Sequence, residues 1–271
     1  MKRKIHFEEK IIMEINKMYN ENCLDTMARM PDNFIDLTVT SPPYDNLRDY
    51  KGYSFDFESI AKELFRVTKD GGVVVWVVGD ATIDGSETGT SFRQALFFME
   101  CGFNLHDTMI WTKDGGGAIG SNKTYTQNFE YMFVFSKGTI NTYNLIYDKV
   151  NLNYGKKAVV SKGRRTAAGV HKIENRKAPS QFSRRNNYWY IPPSSITTDH
   201  PAIFPEKLAY DHIISWSNEN DIVYDPFMGS GTTAKAAISA NRQWIGSEIS
   251  KEYCEIIEKR LSPLTHNLFT Q

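Results

Sequence analysis

Apolar residues recur along this chain in two rhythms, one that suits strands and one that suits helices. Phe34 to Thr40 (FIDLTVT) is a short β-rich run that breaks at Ser41-Pro42-Pro43, so it predicts a strand running into a loop. Phe57 to Val67 (FESIAKELFRV) has apolar positions at helical spacing. Asp70-Gly71-Gly72 follows as an expected helix stop, and Val73 to Val78 (VVVWVV) is apolar on both faces, as a central parallel strand is. Ser91 to Cys101 predicts a helix ending at Gly102, and Asp107 to Trp111 and Tyr131 to Phe135 predict further strands.

From about Asn141 to Ser195 the rhythm is lost and the chain becomes basic and polar. It returns at Pro205, which suits the first turn of a helix towards Ser217. Strand Asp221–Asp225, a glycine-bearing turn, helix Thr233–Ala240, strand Gln243–Gly246 and a closing helix Glu252–Leu261 complete a strand–helix–strand unit. The pattern is an α/β sheet with a basic insertion.

Charge sharpens this picture. With 32 Lys and Arg against 32 Asp and Glu the net charge is zero, which by itself argues against a nucleic-acid partner. The distribution argues for one. Between Lys149 and Tyr190 stand eleven cations (Lys149, Lys156, Lys157, Lys162, Arg164, Arg165, Lys172, Arg176, Lys177, Arg184, Arg185) and one acid, Glu174. Local potential matters more to a polyanion than the total. The same segment also reads as a solvated loop. The three cysteines (Cys23, Cys101, Cys254) have no paired ligand spacing, so free thiols and no metal are expected. No run is apolar for the ~18 residues a span needs, and the N-terminus lacks a signal core, so a cytoplasmic protein without membrane contact is expected.

Two constellations carry chemistry. In Asp225-Pro226-Phe227-Met228-Gly229-Ser230-Gly231-Thr232-Thr233 a strand ends at an acid, and two glycines let the backbone turn close to a ligand. Thr232 or Thr233 is then expected to cap the next helix. No Gly-Lys-Ser/Thr follows, and the spacing is not G-x-G-x-x-G, so a nucleotide-like ligand without polyphosphate is favoured over an ordinary glycine-rich turn. Glu248, just past the following strand, is placed to accept hydrogen bonds from ribose hydroxyls. In Ser41-Pro42-Pro43-Tyr44 two prolines fix the backbone and leave carbonyls free to accept hydrogen bonds, beside an aromatic face. A rigid structural turn is the plainer reading of the same residues.

Together, SPPY after a strand, DPFMGSGTT far downstream and then IGSEIS resemble the amino-nitrogen DNA methyltransferases. The order looks like their β arrangement, in which the catalytic motif precedes the cofactor motif and a target-recognition region lies between them. The resemblance spans nearly the whole chain. Tyr19-Asn20-Glu21-Asn22-Cys23-Leu24 is similar to the family's N-terminal segment, and His200 to Pro205 to the segment near the cofactor's methionine part. It implies a Rossmann-like methyltransferase fold: a mostly parallel twisted sheet flanked by helices, with residues 1–140 and 199–271 forming the methyltransferase domain and 141–198 a basic recognition insertion.

The resemblance further implies S-adenosylmethionine as cofactor, bordered by Asn22, Cys23, Phe204, Asp225, Pro226, Phe227, Gly229, Ser230, Gly231, Thr232 and Glu248. Ser41, Pro42, Pro43 and Tyr44 would hold the target base. Where the family often has Gly-Asp before Cys-Leu, this chain has Glu21-Asn22. Lys156, Lys157, Lys162, Arg164, Arg165, Arg184 and Arg185 would hold double-stranded DNA, with Tyr188, Trp189 and Tyr190 at the segment's end. Base flipping and direct transfer to an exocyclic amino group follow. Serine at the first motif position favours cytosine N4 over adenine N6; an inactive DNA-binding protein ranks lower. A monomer or homodimer is expected, and the resemblance admits a companion restriction endonuclease without specifying one.

Overall fold

A computed structural model describes residues 13–43, 55–113, 123, 125–155, 164–166, 169–171, 179–192 and 205–266. The chain divides into two compact units, residues 1–144 with 187–271, and residues 145–186.

Among the described residues, and apart from a short antiparallel ladder of Thr82–Ile83 with Ser86–Glu87, the larger unit is built on eight strands and six helices. In chain order these are β1 (Lys17–Tyr19), α1 (Cys23–Arg29), β2 (Ile35–Thr40), α2 (Phe57–Val67), β3 (Thr68–Val78), α3 (Thr90–Glu100), β4 (Asn104–Thr112), β5 (Phe129–Ser136), β6 (Tyr188–Tyr190), α4 (Glu206–Trp216), β7 (Ile222–Asp225), α5 (Thr232–Ser239), β8 (Gln243–Ser247) and α6 (Lys251–His266). The sheet order is β1-β8-β7-β2-β3-β5-β4-β6, and only β5 runs against its neighbours. This is the mostly parallel sheet that the sequence predicts.

Helices α1, α2 and α3 pack together on one face, and α4, α5 and α6 on the other. The alternation of β3 shows why. Val74, Trp76 and Val78 join a cluster with Ile60, Leu64 and Phe98 from α2 and α3, while Val73, Val75 and Val77 are equally buried on the opposite side. Helix α2 docks through Ile60, Ala61, Leu64 and Val67, and its N-terminus is capped by Asp56, whose Oδ1 accepts from the Ser59 amide at 3.2 Å.

Two local expectations need correction. Asp70-Gly71-Gly72 does not stop a helix. Helix α2 ends at Val67, strand β3 begins at Thr68, and the pairing with β2 shifts register between Ile35 and Leu37. Gly71 has φ +81°, and a Cβ at Gly72 would lie 2.9 Å from the Asp36 carbonyl, so the glycines permit an irregular strand against β2. Likewise, no threonine caps α5. Gly231 (φ +79°) holds the N-cap position without a side-chain bond, while the Thr232 hydroxyl accepts from Arg260 and the Thr233 hydroxyl donates to the Val39 carbonyl.

The sheet fixes where a ligand can sit. From β2 the chain crosses via α2 to β3 on one side; from β7 it crosses via α5 to β8 on the other. Strands β2 and β7 are therefore adjacent, parallel and connected outward in opposite directions. A crevice at their carboxyl ends is the topological consequence.

The smaller unit, 145–186, is shorter than the expected insertion. It holds two antiparallel ladders, Lys149–Val150 with Phe182–Ser183 and Arg164–Thr166 with Gly169–His171. Tyr188–Tyr190 belongs instead to the main sheet, pairing in parallel with β4. Trp189 is buried, its ring 4.5 Å from that of His212, so it packs the core and is withdrawn from any nucleic acid.

Candidate active site

The strands that lead into the two sequence motifs are joined where β2 and β7 end. The Thr40 hydroxyl, one residue before Ser41, donates to Asp225 Oδ1 at 2.6 Å. The same oxygen accepts from the Phe227 amide at 3.0 Å. Thr233, at the start of α5, donates to the Val39 carbonyl at 3.3 Å. The strand that leads into the proline turn is thus laced to the strand and helix that flank the glycine turn. Asp225 is fully enclosed, and burial raises its pKa against the opposing bonds from Thr40, Thr233 and Phe227.

Glu248 closes the other side. Its Oε2 accepts from the Gly229 amide at 2.8 Å and its Oε1 from the Ser250 amide at 2.8 Å. Burial raises its pKa, partly offset by those two N–H groups. The backbone around it is pinned to β1: the Glu248 amide donates to the Tyr19 carbonyl at 3.0 Å, and Asn20 Nδ2 donates to the Glu248 carbonyl at 2.8 Å. A Cβ at Gly246 would fall 2.0 Å from Met228 Sδ and 2.3 Å from its Cγ, so a side chain there would displace Met228. Phe227 meets Phe55 edge-on at 5.7 Å and Trp76 at 6.2 Å, giving the glycine turn an aromatic flank.

Of the residues named for the cofactor, Asp225, Pro226, Ser230, Gly231, Thr232 and Glu248 are buried at this edge, and Phe227 and Gly229 are half-buried there. Asn22 is the N-cap of α1, its Oδ1 accepting from the Leu24 amide at 2.9 Å. Cys23 is buried, its thiol pushed up to about 12 by desolvation. Glu21, in the position that departs from the family pattern, is bound by Thr26 and Arg29, and the Arg29 bond holds its carboxyl below the ordinary value. Ser41 and Pro43 are half-buried and Pro42 is buried. Tyr44, Phe204, Lys156, Lys157 and Lys162 lie outside the described residues, as do the side chains of Arg164 and Arg165. Arg184 is exposed in the small unit, whereas Arg185 is paired with Asp148.

Two groups were not legible as site residues. Asn20 bonds the backbone that carries Glu248. Arg260, on α6, donates from Nη1 to the Ser230 carbonyl at 3.0 Å, to Ser230 Oγ at 2.9 Å and to Thr232 Oγ1 at 3.1 Å. It grips the glycine turn from behind. Among the described residues no group of His, Cys, Asp and Glu is placed to hold a metal ion, and no helix is long and apolar enough to cross a membrane.

This donor set matches a nucleoside ligand without polyphosphate: a desolvated carboxylate for a diol, a close-approach turn and an aromatic flank. Comparison with known proteins agrees. A family model described as DNA methylase matches residues 35–259. The chain is 59% identical over 240 residues to the orphan methyltransferase M.BamHII of Bacillus amyloliquefaciens, covering 85% of this chain and 89% of that protein. It is 30% identical to the type II methyltransferase M.BglII of Bacillus subtilis, covering 92% and 69%. Among solved structures, the cytosine-N4-specific PvuII DNA methyltransferase superposes with a TM-score of 0.66 at 21% identity, covering 94% and 93%. The M1.HpyAVI–SAM complex does so with a TM-score of 0.60 at 23% identity, covering 90% and 99%. At those identities the two structures bear on the fold.

Proposed function

The chain belongs to the N6/N4 family of DNA methylases, and on that premise we propose that it methylates the exocyclic N4 of cytosine in duplex DNA at a specific site. The observation that supports this reading is the buried bond from Thr40 to Asp225, which joins the residue before Ser41 to the residue that opens the glycine turn. S-adenosylmethionine, the family's methyl donor, supplies a methyl already activated on a sulfonium. Glu248 would accept from the ribose hydroxyls, and Gly229 and Gly231 would give the adenosyl group close access to the backbone.

The protein's remaining task is positioning. An exocyclic amino nitrogen is a weak nucleophile while its lone pair is conjugated with the ring. Its two hydrogens would donate to Ser41 Oγ and to the Pro42 carbonyl, drawing the nitrogen towards tetrahedral geometry and its lone pair out of conjugation with the ring. Proline at 42 and 43 keeps both acceptors rigid. Tyr44 would stack on the base, worth roughly 1–3 kcal/mol by analogy with other base–aromatic contacts. A base inside a duplex cannot reach this turn, so it is everted first. The basic segment around 156–165 and Arg184 would hold phosphates.

No cysteine is needed. Burial holds the thiols of Cys23 and Cys254 at about 12 and about 11, poor nucleophiles at neutral pH. That supports amino transfer over methylation at a ring carbon. The serine at position 41 supports cytosine over adenine.

The test is incubation with duplex DNA and methyl-labelled S-adenosylmethionine, followed by digestion to nucleosides. Label in N4-methyldeoxycytidine is expected. Label only in N6-methyldeoxyadenosine would overturn the choice of base, and none in DNA would overturn the activity.

A further inference from the structure

At the carboxyl end of β3 the chain does not pass directly into α3. It first makes a tight hairpin, Thr82–Ile83 paired with Ser86–Glu87. Asp84 (φ +50°) and Gly85 (φ +81°) are both left-handed, as a two-residue hairpin turn requires. A hairpin this short is not stable alone. This one is clamped at its base. The Thr88 amide donates to the Ala81 carbonyl at 2.9 Å. The buried Asp80 carboxylate accepts from the Ser91 amide at 2.8 Å, the Ser91 hydroxyl at 2.5 Å and the Thr88 hydroxyl at 3.3 Å. All six residues from Thr82 to Glu87 are nevertheless exposed, so the clamp holds out a projection that covers none of the core.

The place of this projection gives it a use. Thr40 pairs with Trp76, two residues before β3 ends at Val78. The Ser41-Pro42 turn and the hairpin therefore leave adjacent strands, about 4.8 Å apart, at one edge of the sheet. Ile83 is 59% exposed there. It lies opposite Ser86, whereas Glu87 lies opposite Thr82, so Ile83 and Glu87 project from opposite faces of the hairpin. The hairpin carries two acids, Asp84 and Glu87, and no cation, so phosphates repel it and it does not track a DNA backbone. The uncharged face of Ile83 suits the space between base pairs, into which proteins insert isoleucine among other apolar wedges.

We propose that Ile83 enters the duplex as the target base is everted and fills the gap left in the stack, with Asp80 holding the hairpin in place. This rests on the reading of the chain as a DNA methyltransferase that everts its target. Eversion costs pairing and stacking, and the isoleucine returns part of the lost stacking and blocks the base from closing back.

Single-turnover methyl transfer by the full chain, on two duplexes containing the site it methylates, tests this. In one the target base is normally paired. In the other an abasic nucleotide stands opposite it, so that eversion no longer breaks a base pair. Ile83→Ala is expected to slow transfer about tenfold or more on the paired duplex and less than about threefold on the other. Its circular dichroism spectrum and its dissociation constant for S-adenosylmethionine should be unchanged. Ile83→Leu, which keeps the apolar volume, is expected to stay near the wild-type rate on both. An equal loss on both duplexes, a paired-duplex rate unchanged by Ile83→Ala, or a leucine variant as slow as the alanine one would overturn the wedge and leave the methyl-transfer reading intact. A wild type that transfers nothing to either duplex would overturn that reading, and the wedge with it.

Discussion

Thr40 and Asp225 lie 185 residues apart in sequence and share a buried hydrogen bond of 2.6 Å. The bond joins two parallel strands at their carboxyl ends, where each leaves the sheet to form one of the two turns of the site. Thr40→Val removes the donor but keeps the shape, leaving a desolvated carboxylate one partner short. A loss of about 1–3 kcal/mol in stability is expected from denaturant unfolding, with Thr40→Ser close to wild type.

On the proposed function Glu248 would bind the cofactor's ribose, and its burial also predicts a pH response. Glu248→Gln is expected to weaken S-adenosylmethionine binding at least tenfold in calorimetry, since two charge-assisted bonds to a diol are lost. The folded protein raises the Glu248 pKa above its ordinary 4.5. The folded state therefore holds that proton more tightly than the unfolded chain. Its contribution to stability is complete below pH 4.5 and lost as pH rises through the folded value. Denaturation midpoints followed upward from pH 4 should fall more steeply for the wild type than for Glu248→Gln.

Gly246→Ala would drive a methyl into Met228, which is itself buried against the strand end. Destabilisation of about 1–3 kcal/mol is expected, as for other overpacked cores. Met228→Ala in the same chain should recover part of it. Thermal melts of the single and double variants supply the check.

Arg260→Met cuts three hydrogen bonds to the glycine turn. Arg260 is a positioning residue, so a rise of about 5- to 30-fold in KM for S-adenosylmethionine is expected, from one to two kcal/mol of lost loop order. The kcat at saturating cofactor should change little. A matching fall in kcat would place Arg260 in the chemistry instead.

DNA affinity should fall steeply with salt, because phosphate neutralisation releases counterions. Arg184→Ala is expected to lower the slope of log affinity against log salt by about one. Arg185→Ala should change it less, since Asp148 already holds that guanidinium. Fluorescence anisotropy across a salt series measures both slopes.

Much of this was legible in the sequence where local chemistry dictates geometry. The apolar run Val73–Val78 reads as a strand covered on both faces, and Phe57–Val67 as an amphipathic helix. Legibility failed where the signal was short or non-local. Strand β1 has three residues, too few to show a period, and α1 is announced only by Asn22 as its cap. Strand β6 was hidden because Trp189 stands between two exposed tyrosines at the end of a basic segment. Arg260 looks like one of many charges on a polar helix, and only the fold brings it to Ser230. Asp70-Gly71-Gly72 misleads because glycines that serve an irregular strand look the same as glycines that stop a helix.

Single-turnover methyl transfer by Ser41→Ala, with cofactor binding measured on the same preparation, tests most directly whether the two turns form one methyl-transfer pocket. The expected result is an unchanged dissociation constant for S-adenosylmethionine and a rate of transfer to DNA reduced by at least a hundredfold. Transfer at the wild-type rate would contradict it, because the proline turn would then have no part in holding the target amino group.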